Sequence, residues 1–228
     1  MATNNNVTFA DGSSTLGRSG GYDIYAHKFR LNAPMRVDSV DIKAQNGTGT
    51  VYNFDLLIWD SAGVLILNKT CSLPASALMA WRNFAISSLK LDAGRDYYIG
   101  IKCDPIVAPG FEANTVLPKT VTASVPGKTL DILDFRHVNG SSVSTTNPPP
   151  VNANKHILSI RLIGSFNNPP TIVITSPSDN LTLSEGNTLP VEGTAGDTDN
   201  GNVVTVKYKI NNGPTRAIAS GVSDGSSP

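Results

Sequence analysis

Apolar and polar residues alternate along most of this chain at the two-residue period of half-buried strands. "YDIYAHKFRL" (22–31) and "MRVDSVDIKA" (35–44) each predict a strand. "NGTG" (46–49) supplies turn chemistry, because Asn and Gly tolerate positive φ. In "VYNFDLLIWD" (51–60), Tyr52, Phe54, Leu56 and Ile58 share one face. "SAG" (61–63) turns the chain, and "VLILNKTC" (64–71) returns as a hairpin partner. "WRNFAI" (81–86), "DYYIGIKC" (96–103), "TVTASV" (120–125), "LDILDFRHV" (130–138) and "HILSIRLIGSF" (156–166) continue the series. "LPASALMA" (73–80) is the passage that predicts a helical turn. About nine strands with short connections predict an all-β fold, a β-sandwich or jelly roll.

Three passages break the rhythm. Residues 1–21 are polar and rich in Asn, Ser, Thr and Gly, and predict a flexible arm that orders only on a partner. "NGSSVSTTNPPPVNAN" (139–154) is a long polar loop with three consecutive prolines, and is a candidate contact segment. "SFNNPP" (165–170) predicts a stiff linker, with a new strand pattern behind it. The expected organisation is an arm over 1–21, a sandwich over 22–166 and a second module over 167–228.

The second module carries a resemblance. "PPTIVITSPSDNLTLSEGNTLPVEGTAGDTDNGNVVTVKYKINNG" (169–213) resembles the bacterial Ig-like repeats of surface and phage virion proteins. That implies an Ig-like β-sandwich acting as a spacer or display module. Such a sandwich takes about seven strands over ~100 residues, so the module is expected to be incomplete as it stands. Within the first domain, "FDLLIWDSAGVLI" (54–66) and "WRNFAISSLKLDAGRDYYIGIK" (81–102) resemble β-sandwich domains of bacterial surface and carbohydrate-active proteins. This second resemblance implies a fold rather than a ligand.

Charge alters the picture by exclusion. The 18 basic and 18 acidic residues balance, and no block of like charge offers phosphates a patch, so no nucleic-acid partner is expected. No apolar run reaches the ~18 residues of a membrane helix, so no membrane insertion is expected. The opening "MATNNNVTFADGSS" lacks the basic start and apolar core of a signal peptide. Cys71 and Cys103 allow one disulfide but form neither a framework nor a metal motif, and two small buried thiols are the reading set against that pairing.

Candidate chemistry is sparse. His27, His137 and His156 are too scattered for a metal motif. Asp55, Asp60, Asp131 and Asp134 are the carboxylates from which a glycosidase pair would have to come. "GDTDNGN" (196–202) offers Asp197, Asp199 and Asn200 as oxygen ligands for Ca²⁺, without the terminal glutamate of an EF-hand, and a polar turn explains the same residues. No other cofactor is expected, and no residue stands out as catalytic. Trp59 and Trp81, with Tyr97 and Tyr98, are the candidates for a sugar-stacking platform, against core packing.

The combination of an outward-facing module, no export signal and almost no cysteine predicts a non-enzymatic virion protein. It would be a phage tail, baseplate or head fibre, docked by its N-terminal domain. Its expected partners are other virion proteins, copies of itself and a host-surface glycan. The alternative is a carbohydrate-binding module of a secreted or surface protein.

Overall fold

The computed structural model describes residues 5–12, 14–15, 22–103, 107–113, 115–140, 144–153, 156–167, 170–176, 191–197, 203–209 and 213–222. The chain divides into two compact units, Met1–Phe166 and Asn167–Pro228. Among the described residues every regular element is a strand.

The first unit contains β1 (Asn5–Thr8), β2 (Ser14–Thr15), β3 (Tyr22–Leu31), β4 (Met35–Asn46), β5 (Tyr52–Trp59), β6 (Leu65–Leu73) and β7 (Ala80–Leu91). It continues with β8 (Asp96–Cys103), β9 (Val107–Glu112), β10 (Lys119–Thr122), β11 (Thr129–Gly140), β12 (Ile157–Leu158) and β13 (Ile160–Phe166). They form two sheets. One runs β1-β13-β4-β9-β12, with β7 on the other side of β4 and β2 beside β9. The second runs β10-β11-β3-β8-β5-β6.

Alternation places one face of each sheet inward. β4 contributes Val37, Val40, Ile42 and Ala44 to the core, and β13 contributes Ile160 and Leu162. The facing sheet contributes Phe29, Leu56, Ile58, Ile99, Leu130 and Ile132 to the same cluster. This is a β-sandwich, with one apolar layer between two antiparallel sheets. A bulge at Ile163/Gly164 re-aims β13. A Cβ at Gly164 would run into the Arg36 carbonyl, so only glycine fits that approach.

The N-terminal segment corrects the expectation of a flexible arm over 1–21. β1 pairs with β13 from Asn5↔Gly164 to Thr8↔Arg161. Val7 and Phe9 lie in the core, and Phe9 meets Phe29 edge to face at 5.4 Å. A Cβ at Gly12 would strike the Phe111 carbonyl, so the backbone is clamped there too. Two large apolar side chains at alternate positions gain enough burial to order an otherwise polar stretch. Residues 1–4, 13 and 16–21 lie outside the described residues. The expected helical turn in 73–80 is also corrected. Ser76, at φ 51°, turns the chain where β6 leaves for β7.

The second unit contains β14 (Thr171–Ser176), β15 (Glu192–Gly196), β16 (Val203–Tyr208) and β17 (Arg216–Val222). β14 pairs with β15 and β16 with β17, both antiparallel. Ile172 and Ile174 on β14 are exposed.

Candidate functional site

The four aromatic residues of the expected platform do not share a surface. Tyr97 points into the core, where its hydroxyl accepts from the Asp92 amide at 3.0 Å. Trp59 and Tyr98 are register partners on the outer face of the six-stranded sheet. Trp59 is 0% exposed, which corrects its assignment as a ligand-binding residue. It forms a small cluster with Ile24, Ala26 and Leu57, and Leu65, Tyr98 and Val138 pack against that cluster.

The proline loop covers this cluster. Trp59 Nε1 donates to the Thr145 carbonyl at 2.9 Å. Arg136 Nη1 donates to the Pro149 carbonyl at 3.1 Å, and the His137 amide to that of Pro150 at 3.2 Å. Arg136 and Val151 form an isolated bridge, and the Asn152 amide donates to the Phe135 carbonyl. Pro148 comes within 3.3 Å of where a Cβ on Gly63 would sit. Residues 144–153 are therefore a strap bonded to β11, with residues 141–143 and 154 of the predicted loop outside the described residues. "LLIW" (56–59) carried the signal, since an unbroken apolar run marks a strand buried on both faces.

Trp81 lies on the other sheet, at the start of β7, and is half-buried. Lys43 is its direct cross-strand partner on β4. Trp81 Nε1 donates to Asp11 Oδ1 at 3.1 Å, and Lys43 Nζ reaches the same oxygen at 2.8 Å. The hydrogen bond from Lys43 is the main influence holding the Asp11 carboxyl below its ordinary range. The Arg161 guanidinium stacks 4.2 Å from the indole centroid. Arg161 is itself fixed to the sheet, with Nε donating to Thr8 Oγ1 at 3.0 Å and Nη1 to Asp41 Oδ2 at 3.4 Å. Asn83 Nδ2 donates to Asp41 Oδ1 at 2.8 Å and to Ser39 Oγ at 2.9 Å. Thr8, Arg161, Asp41 and Asn83 follow one another across four neighbouring strands, beside the indole.

The three histidines serve the core and its rim. His27 is fully buried. Its Nδ1 donates to the Asp134 carbonyl at 3.0 Å, and its Nε2 accepts from the Leu158 amide at 2.9 Å. That ring joins the two sheets and needs the neutral tautomer protonated on Nδ1. Burial pushes its pKa down to about 4. His137 stacks on Tyr25 at 4.6 Å and bonds Asp23 Oδ1 at 3.1 Å. His156 packs edge-on to Phe111 and Phe135, and burial lowers its pKa as well.

The candidate carboxylates each hold local structure. Asp55 accepts from Thr70, Asp60 caps the turn through the Ala62 and Val64 amides, and Asp131 accepts from Thr120. Asp134 grips Arg136. β8 and β3 lie between β5 and β11, so Asp55 is about 14 Å from either β11 aspartate by strand spacing, too far for a glycosidase pair. Asp197 is buried, while Asp199 and Asn200 of the calcium candidate lie outside the described residues. Among the described residues no three His, Cys, Asp or Glu side chains gather as a metal set.

Cys71 and Cys103 are buried and form no disulfide. Cys71 pairs with Phe54 on one side of β5, and Cys103 follows the Lys102–Asp55 pair on the other. Two strand spacings, roughly 10 Å, separate them, beyond disulfide reach. Burial pushes the Cys71 thiol up to about 11, so it stays protonated and unreactive.

No curated protein matches the chain. Residues 170–228 match the family model of the bacterial Ig domain, so the second unit carries a bacterial Ig-like module.

Proposed function

We propose that this chain is a non-enzymatic structural and adhesion protein of a phage particle. Its first unit docks on the particle, and its Ig-like module serves as a display unit. The observation that carries the reading is the tandem itself. A bacterial Ig-like module follows a sandwich whose candidate catalytic side chains are engaged in holding the fold. The two buried cysteines are not joined in a disulfide, which fits folding in a reducing compartment with exposure only after release. With residues 5–12 built into the sandwich, docking falls to the sandwich's own faces rather than to a free arm. Immunogold electron microscopy of a phage lysate, with antibody raised against residues 170–228, tests the reading. Gold at a fixed place on the particles is the expected result. Label confined to host-cell surfaces before lysis would favour the secreted carbohydrate-binding alternative.

A further inference from the structure

We propose that the outer face of the seven-stranded sheet binds a neutral glycan, with one face of the Trp81 indole as the stacking plate. The Arg161 guanidinium, held by Thr8 and Asp41, lies over the indole at 4.2 Å, and the Lys43 ammonium is 5.9 Å from the same centroid. The indole is half-buried, so the part of it that these side chains leave open is the plate on offer. The bond to Asp11 and the neighbouring Lys43 fix the ring's angle, so little rotamer freedom remains to be lost on binding.

The surroundings select the ligand. A flat aromatic face takes the C–H face of a pyranose, whose hydroxyls project at the rim and need polar partners there. Asp11, 64% exposed, stands at the indole N–H edge as an ionised acceptor. Exposed Asn83 stands beside the indole on the same strand and face, and its carbonyl oxygen can accept. Lys43 is matched by Asp11 and Arg161 by Asp41, so the site has no net charge with which to hold a phosphate or uronate. A neutral sugar chain satisfies the plate and the rim together. The Trp59 cluster offers no such site, because the proline strap already occupies it.

The site does not depend on where the chain resides, and the following assay uses the full chain in isolation. Its failure would leave the particle reading standing, and the chain's absence from particles would leave the site standing. Native gels are cast with hydroxyethylcellulose, galactomannan or dextran, and with alginate as the anionic control. Wild-type protein is expected to be retarded by at least one neutral polymer. Trp81→Ala should weaken that retardation at least about tenfold and Asp11→Ala should weaken it less, while Trp81→Phe retains part. Thermal melting reports whether each variant is folded, and Trp59 emission does so as well for the Trp81 variants. If Trp81→Ala does not fold, Trp81→Phe and Asp11→Ala decide, because each must still reduce retardation. No retardation by any neutral polymer, equal retardation of wild type and folded variants, or retardation by alginate alone would overturn the proposal.

Discussion

His27 shows how a single residue ties the two sheets together. It donates to a β11 carbonyl and accepts from the β12 amide, so its ring must be neutral. Its folded pKa of about 4 lies below the ordinary 6.5. The unfolded chain therefore binds a proton more readily. The stability from the neutral ring is complete above about pH 6.5, shrinks as pH falls, and is gone below about 4. The full loss is on the order of 3 kcal/mol, and burial also pushes His156 in the same direction. Denaturant midpoints measured from pH 7.5 to 4 should fall through that window. His27→Gln should be less stable at neutral pH, with a shallower slope. An unchanged slope in the variant would remove His27 from this role. A histidine in "YDIYAHKFRL" reads by default as a surface or strand-edge residue, so neither its burial nor its two partners were legible. The partners lie 107 and 131 residues away, and only the packed fold brings them near.

Among the elements, β3 and β8 match their predicted bounds residue for residue, although only β8 and the second half of β3 alternate, while Asp23 to His27 are buried on both faces. β1 and β9 were hidden for physical reasons. β1 has four residues, of which only Val7 is a large apolar one, and its order comes from β13 and from Phe9 beyond it. β9, "VAPGFE", carries Pro109 and Gly110, which ordinarily punctuate turns. Phe9→Ala should cost about 3 to 5 kcal/mol, read as a lowered unfolding midpoint. Deleting residues 1–12 should destabilise the sandwich rather than trim a loose arm, and a truncated protein melting like wild type would refute that. The proline strap makes a second element-scale prediction. In a Trp81→Phe background, replacing 144–150 with Gly and Ser should shift Trp59 emission to the red and lower the melting temperature. The indole would lose its carbonyl partner and its cover together. Unshifted emission would mean that the strap does not shield it.

At the scale of the whole molecule, the alternation announced an all-β chain, and the "PPTIVITSP…VEGTA" pattern announced the Ig-like module now matched over 170–228. The expected aromatic platform does not form. Sequence names aromatic residues but does not say which sheet face each occupies, and Trp59 and Trp81 prove to sit on different sheets. Display modules gain grip by repetition, since linked weak contacts raise effective concentration without any new contact. The chain is therefore expected to work in several copies. The most direct test is quantitative mass spectrometry of density-gradient-purified phage particles. The chain should co-purify with the particle band at a fixed copy number per particle that matches a symmetric ring or set of spikes. Its absence from that band, with accumulation in the medium before lysis, would contradict the particle role.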